Sequence, residues 1–522
     1  MKSPPLCCRA ALPVLLLPAA LIAADVVQVT PSKMPRVGKV DERFQSYNVE
    51  MVEVTGGRFW APYKKKQAAA AEAPASAPAV PGLDPSLFMR RSPIELANPR
   101  LLKLAAALGP AYIRVSGSWA NSTYFHDADT PAPTTPPPGF GGVLTRAEWR
   151  GVMSFAKSVN GKIVTSFAIS PGVRDESGTW TDREAGKLAR YTKSIGGSIA
   201  AAEMFNEPNF AAMAGAPKGY TAESYGRDFA AFLKFAKQEA PEMLILGPGS
   251  VGETGELAAF GGLKTADLLQ ASPRGIGAFS YHFYGAVSKR CAGMPRVPQS
   301  SPETALTAEW LGRTERDAAF YEALRDKYEP GKPIWLTETG ETACGGNPWA
   351  STFIDSFRYL GQLGRLARRG VQVVMHNTLS ASDYALIDEE TLTPRPDYWA
   401  AVLWAKTMGS TVLDAGVQAP ENTYVYAHCL SGKPGGVAIL AMNAGRDSGV
   451  ELNLPAASER YTLTAKDLLG GDVDLNGHPL KVGSAGDVPE LKGAKAAAGI
   501  QKLPPLSINF FAVAGAANAA CR

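Results

Sequence analysis

The stretch Ala202-Glu203-Met204-Phe205-Asn206-Glu207-Pro208-Asn209 is a short, mostly apolar run closed by Asn-Glu-Pro. A run of that length suits a buried strand, and a proline just beyond it suits the first turn of a helix. The pattern returns at Pro333-Ile334-Trp335-Leu336-Thr337-Glu338-Thr339, where another strand candidate stops on a glutamate. Between Asn98 and Met408 such runs alternate with amphipathic stretches, the signature of parallel βα units. The predicted strands are Ser46–Val49, Ala111–Val115, Ile163–Ala168, Ala202–Phe205, Leu244–Gly247, Ala278–Tyr281, Pro333–Leu336 and Val371–Met375. The predicted helices are Leu101–Leu108, Arg146–Ser158, Asp182–Ser194, Ala222–Glu239, Ala266–Leu269, Glu309–Lys327, Phe353–Arg369 and Tyr398–Met408, with Thr181 and Glu184 as a capping box for the third. Eight such units predict an α/β fold, a (β/α)8 TIM barrel, whose working side chains stand just past the C-terminal ends of the strands. Those positions hold Glu50, Ser116 to Ser118, Ser170, Asn206, Glu207, Gly249, His282, Tyr284, Glu338, His376 and Asn377.

Outward from the barrel, the helical pattern stops after Gly409, and short runs such as Tyr424–His428, Val437–Met442, Val450–Leu454, Tyr461–Ala465 and Ser507–Val513 predict a C-terminal β-sandwich domain. Residues 25–40 contain one more strand, Val26–Val29, placed to join that sandwich. The division is then 1–24 signal peptide, 25–40 N-terminal strand, 41–409 barrel and 410–522 sandwich, with Ala/Pro-rich and Pro/Thr-rich inserts at 67–81 and 130–138 as loops. Lys2 and Arg9 precede an apolar run from Ala10 to Ala23, and small residues at Ala23 and Ala24 offer a cleavage site, so a secreted or periplasmic protein is expected. The competing membrane anchor suits the run poorly, because it is short and carries Pro13 and Pro18; no membrane span is expected once the signal is removed.

With 20% charged residues and a net charge of +4, nothing marks a nucleic-acid partner. Six cysteines occur, and Cys7 and Cys8 leave with the signal. Cys291, Cys344, Cys429 and Cys521 remain for an oxidising compartment, with three possible pairings. If the sixth and seventh loops are neighbours on the barrel rim, Cys291 and Cys344 can bridge. No metal is expected, since CxxC pairs are missing and the five histidines are scattered.

Cleavage of a glycosidic bond with retention needs one carboxylic acid to protonate the leaving oxygen and one carboxylate to attack the anomeric carbon, about 5–5.5 Å apart. Glu207 after the fourth strand and Glu338 after the seventh supply that pair, as acid/base and nucleophile. Taken singly, Asn-Glu-Pro also reads as a helix start and Thr-Glu as a surface position. No cofactor is implied, because proton transfer and carboxylate attack complete the reaction.

Asn-Glu-Pro after strand four and Glu after strand seven resemble the retaining clan of (β/α)8 glycosidases. A closer resemblance is to the heparanase family of β-glucuronidases, glycoside hydrolase family 79. It is carried by Leu108-Gly109-Pro110-Ala111-Tyr112-Ile113-Arg114, Trp335-Leu336-Thr337-Glu338-Thr339, Pro396-Asp397-Tyr398-Trp399 and Leu475-Asn476-Gly477. The resemblance implies that Asn206 binds the sugar 2-hydroxyl and that Tyr384 and the amides of Gly345 and Gly346 hold the uronic carboxylate. It also implies that His282 and Tyr284 flank the nucleophile, that Glu50 and Ser118 meet sugar hydroxyls, and that Cys429 pairs with Cys521. On their own, Tyr384 reads as a core tyrosine, Gly345-Gly346 as a turn and His282 as a satisfied buried histidine.

The expected partner is a glucuronic-acid-containing glycan, met by a monomer. The resemblance implies an endo-β-glucuronidase on heparan sulfate, with an exo-β-glucuronidase on plant or proteoglycan glucuronides as the alternative and a silent carbohydrate-binding protein as the third reading. The chain departs from vertebrate heparanases in having Gly252-Glu253-Thr254-Gly255-Glu256 where those carry a basic cluster, with only Lys264 and Arg274 nearby; basic candidates elsewhere include Lys64, Lys65, Lys66, Arg174 and Lys218.

Overall fold

The computed structural model describes residues 26–65, 84–254, 258, 261–292 and 299–522. The predicted signal peptide and the 67–81 insert lie outside the described residues.

Eight parallel strands close into a barrel in sequence order: β1 (Gln45–Glu50), β2 (Ala111–Ser116), β3 (Gly161–Ser166), β4 (Ile199–Glu203), β5 (Leu244–Val251), β6 (Ala278–Phe283), β7 (Ile334–Thr339) and β8 (Val373–His376). Besides the short helix Met51–Thr55 directly after β1, the helices that follow them among the described residues are α1 (Pro99–Ala107), α2 (Arg146–Ser158), α3 (Arg183–Ser194), α4 (Ala222–Glu239), α5 (Thr265–Ala271), α6 (Ala308–Tyr328), α7 (Phe353–Arg369) and α8 (Pro396–Thr407). Their starts are written locally. Asn98 accepts from the N–H groups of Arg100 and Leu101 with Pro99 in the first turn, and Thr145 forms a capping box with Glu148.

Side chains alternate across each strand, so one face fills the barrel and the other meets the helices. Tyr112, Val164, Ala201, Leu246, Ala278, Trp335 and Val373 form one apolar interior cluster, with the Tyr112 and Trp335 rings 4.8 Å apart. Two residues further along β2 and β4, on the same inward face, stand Arg114 and Glu203. The interior therefore turns from apolar to ionic as it approaches the C-terminal ends of the strands.

Beyond the barrel, a nine-stranded sheet built mainly from Met408–Leu413, Thr423–Leu430, Val437–Asn443, Ser507–Val513 and Ser458–Thr464 takes in the N-terminal strand Arg36–Lys39. One face joins the barrel's hydrophobic core through Tyr426, Leu440, Met442 and Phe510. Gly364 of α7 makes that approach possible, since a Cβ there would lie 2.4 Å from the Tyr426 ring. The opposite face, through Val425, Ile439, Phe511 and Val513, packs on a three-stranded sheet of Val27–Gln28, Val450–Leu454 and Gly499–Leu503. The N-terminal strand thus pairs in this region, parallel to Val450–Leu454.

Two local expectations need correcting. The fourth strand is Ile199–Glu203 rather than Ala202–Phe205, so Met204, Phe205 and Asn206 already belong to the loop; an alanine-rich run carries little of the β-branched signal that marks a strand start. Thr181 and Glu184 form no capping box. Helix α3 starts after Asp182 without a side-chain cap, Thr181 Oγ1 donates to Val173 O, and Glu184 accepts from the N–H of Phe125. Val173 takes the Thr181 hydroxyl, and Phe125 in the strand Thr123–His126 together with Lys187 takes the Glu184 carboxylate, so neither caps the helix end.

Candidate active site

Glu338 enters the cavity from a strand whose pairing is irregular. Register shifts on both sides of β7 leave Thr337 bonded inside the barrel to Glu203 and Thr339 bonded outside to Gln362 of α7, with Glu338 between them re-aimed into the cleft. Both its oxygens are held: Arg114 donates to Oε2 at 2.8 Å and the Tyr284 hydroxyl to Oε1 at 2.8 Å.

Arg114 is fully buried and spans the floor. Its guanidinium donates to Glu203 at 2.8 and 3.2 Å, to Glu338, and to Asn206 Oδ1 at 2.8 Å. A buried charge is tolerable only when paired, and here the pairing goes both ways. Burial pushes the Glu203 carboxyl up, but Arg114, His282 and Thr337 outweigh it and hold it well below the usual carboxylate range.

Glu207 sits in the left-handed region at φ 52°, ψ 60°, ahead of the single turn Pro208–Phe210. The strand end behind it is locked by Asn121, whose side chain accepts from the N–H of Asn206 at 2.8 Å and donates to its carbonyl at 2.9 Å. Burial raises the Glu207 carboxyl above its ordinary value, against a hydrogen bond from His282, and the nearby charge of Glu338 raises it further. His282 Nδ1 lies 3.2 Å from Glu207 and 3.8 Å from Glu338, while Nε2 lies 3.7 Å from Glu203. Burial and Arg114 lower its pKa, yet the charge of Glu338 and its contacts with Glu203 and Glu207 prevail and raise it to about 9.

One oxygen each of Glu207 and Glu338, with a His282 nitrogen, lie within 4.8 Å of one another. That spacing also suits a cation, but both Glu338 oxygens already accept hydrogen bonds and Arg114 supplies the positive charge. The donor set fits a metal ion poorly.

The other anticipated residues divide into three groups. Glu50, Ser118, Tyr284 and Tyr384 line the same cavity as Glu207 and Glu338. Glu50 is buried, its carboxyl raised well above the ordinary range by burial and by Glu338, and only a glycine fits at 117, where a Cβ would lie 1.6 Å from its oxygen. Asn377, at the tip of β8, donates to the hydroxyls of Tyr284 and Tyr384 at 3.0 Å each. Asn206 and His282 lie buried behind this wall. Gly345 and Gly346 are buried beside it, next to Trp60, Ser382 and Tyr384. A clamp holds them: Ser288 Oγ donates to Gly346 O at 2.7 Å, Ser382 Oγ to Gly345 O at 2.9 Å, and Arg290 to Gly346 O at 3.3 Å while pairing with Asp383. Cys291 is bonded to Cys344 alongside, and Cys429 to Cys521 in the sheet region.

Sequence reasoning missed Glu203 and Asn121, and Arg114 entered it only as the last residue of a family likeness. A charge on the inward face of an otherwise apolar strand was the available signal. It also missed the apolar wall of Phe59, Trp60, Trp119, Phe210, Met213, Ala214 and Val251. The cavity measures about 220 Å³, several times the ~30 Å³ share of one water, so it admits a ring-sized ligand. Of the basic candidates, Arg174 is occupied by Asp228, neither Lys64 nor Lys218 lines the cavity, and Lys66 lies outside the described residues. Among the described residues, no helix is long and apolar enough to cross a membrane.

No family model matches the chain. Curated relatives span most of it. Heparanase-like protein 1 of Arabidopsis thaliana is 24% identical over 481 residues, 82% of this chain and 86% of that protein. Hyaluronoglucuronidase of Hirudo nipponia is 27% identical, covering 84% and 94%. Heparanase of Bos taurus is 29% identical over 374 residues, covering 68% and 66%. Among solved structures, the family 51 arabinofuranosidase from Xanthomonas axonopodis pv. citri matches with a TM-score of 0.61 at 17% identity over 94% of this chain and 99% of that one, a likeness of fold.

Proposed function

We propose that this chain, a glycosidase of the heparanase-like family that its relatives fit, hydrolyses β-glucuronosyl linkages with retention of configuration. The observation that carries the reading is that one oxygen of Glu207 and one of Glu338 approach to within 4.8 Å in one cavity, too close to lodge a water between the carboxyl groups as an inverting enzyme does. Inverting enzymes hold their carboxyl groups roughly 6.5–9.5 Å apart to admit a water between them, and retaining ones about 5–5.5 Å.

In the first step Glu207, carrying the proton that burial favours, gives it to the glycosidic oxygen as the bond from that oxygen to the anomeric carbon breaks. A Glu338 oxygen attacks the same carbon and forms an ester. In the second step Glu207, now a carboxylate, takes a proton from water. That water's oxygen attacks the anomeric carbon, and the ester bond breaks to release glucuronic acid and free Glu338. Arg114 and Tyr284 orient the attacking carboxylate. Asn206, whose Oδ1 is occupied by Arg114, turns its amide nitrogen to the sugar 2-hydroxyl. Tyr384 with the amides of Gly345 and Gly346 receives the uronic carboxylate through neutral donors, which need no counter-ion, and Glu50 and Ser118 take the sugar hydroxyls.

The cleft wall favours the exo mode over internal cleavage of heparan sulfate. Among the described residues no lysine or arginine lines the cavity, whereas a polyanion requires cations along its path. Relatives named heparanase and hyaluronoglucuronidase point instead to a glycosaminoglycan substrate, and the two readings separate by measurement. Incubation with heparan sulfate and with a small aryl β-glucuronide, followed by sizing of the chains, should give release of the small aglycone without shortening of the polymer. Shortened chains would establish the endo mode. We also place the protein outside the cytoplasm, as a monomer freed of residues 1–24, with its barrel and sandwich dividing at 409–410.

A further inference from the structure

We propose that the group released from the glucuronide is a flat, apolar, uncharged ring system, held beside Glu207 by Phe210, Met213, Ala214 and Val251. The proposal rests on the assignment of Glu207 as proton donor, because the leaving group must lie where that acid reaches its oxygen.

The chain leaving Glu207 builds this surface. It turns through Pro208–Phe210 and runs on to Met213 and Ala214, which line the cavity that holds both carboxyl groups. The turn is locked to the end of β5: Asn209 donates to Val251 O at 2.6 Å and accepts from Val251 N at 3.1 Å, and its carbonyl accepts from Leu263 N at 2.9 Å. Phe210 and Val251 are thereby fixed as one apolar patch, packed on the same cluster as Tyr284 and Tyr384. A rigid wall presents its area to a ligand without an ordering cost.

Met213 adds an independent sign. It is 45% exposed, and of the exposed large apolar side chains among the described residues (Val37, Met213, Leu469 and Ile500) it is the one that lines the cavity. A polarisable thioether at the mouth of a cleft suits the edge of an aromatic ring. Charge points the same way. Among the described residues the lining carries no lysine or arginine, so a sulfated or carboxylated leaving group would find no cation to pair with.

The test compares kcat/KM for 2-naphthylmethyl β-D-glucuronide and methyl β-D-glucuronide, whose leaving alcohols are of similar acidity, so that their ratio reads contact with the wall. The naphthylmethyl compound should be preferred by roughly tenfold or more, the scale on which apolar pockets discriminate. Met213→Lys and Phe210→Ala should each lower that ratio several-fold, mainly through KM. Met213→Lys changes an exposed position, so its thermal midpoint should stay at the wild-type value and exclude a folding defect. Equal kcat/KM for the two compounds, or a ratio that neither substitution moves, overturns the leaving-group proposal alone. Cleavage of neither compound overturns the glucuronidase reading, and the proposal falls with it.

Discussion

The floor of the cleft joins Arg114, Glu203, His282, Glu207 and Glu338 in one ionic network, whereas its wall is Phe59, Trp60, Trp119, Phe210, Met213 and Val251. The floor comes from strand ends, where the barrel holds every backbone in register and the side chains hold one another. Except for Val251, the last residue of β5, the wall comes from segments beyond those ends, free to differ without disturbing the network beneath. Bond-breaking chemistry and choice of substrate are thus physically separable here, the first built into the barrel and the second added on top.

Substitutions should break the two halves differently. Glu338→Gln should lower kcat on any glucuronide by on the order of 10⁴-fold or more, with ligand binding retained, as measured by turnover alongside calorimetric titration of a glucuronide. Turnover near the wild-type rate would remove Glu338 from the mechanism. Glu207→Ala should cost about 10²–10⁴-fold with an alkyl leaving group and distinctly less with an acidic phenol, which departs without protonation. Equal losses on both would deny Glu207 the role of proton donor. Glu203→Gln leaves the buried Arg114 short of a partner and should destabilise the fold by about 3–5 kcal/mol, read from denaturant unfolding near pH 7.

The smallest of these effects concerns pH. His282 is raised in the folded state to about 9, above the ~6.5 of an unfolded chain. Its contribution is therefore fully present below about 6.5 and is lost as pH climbs towards 9. Thermal midpoints should fall across that window in the wild type and fall less in His282→Gln. Identical slopes would mean that the imidazole does not carry the proton.

The floor was also the more legible half. The run ending on Glu338 announced its strand, the run ending on Glu207 placed its strand too late in the chain, and hydrophobic periodicity placed α2, α4 and α7 at their observed bounds. Spacing along the chain could not announce that Arg114 and Glu203 would meet. A charge inside a strand reads locally as a solvated position, and only barrel closure turns both inward against each other. The wall was illegible for a related reason. Phe59 and Trp60 stand on a hairpin (Gly57–Trp60 with Phe88–Arg91) and Met213 follows a turn, and neither segment has a period that points its side chains anywhere. The capping expectation at Thr181 failed where Val173, Phe125 and Lys187 offered better partners.

The left-handed backbone at Glu207 has a consequence for how this fold tolerates change. An L-residue other than glycine, asparagine or aspartate is uncomfortable there by roughly 1–2 kcal/mol, and the neighbouring bonds of Asn121 and Asn209 hold it in place regardless. Glycine at this position would relieve the backbone while removing the acid. A library selected for thermal resilience alone should therefore drift towards inactive proteins at residue 207, and one selected for turnover should keep the strain.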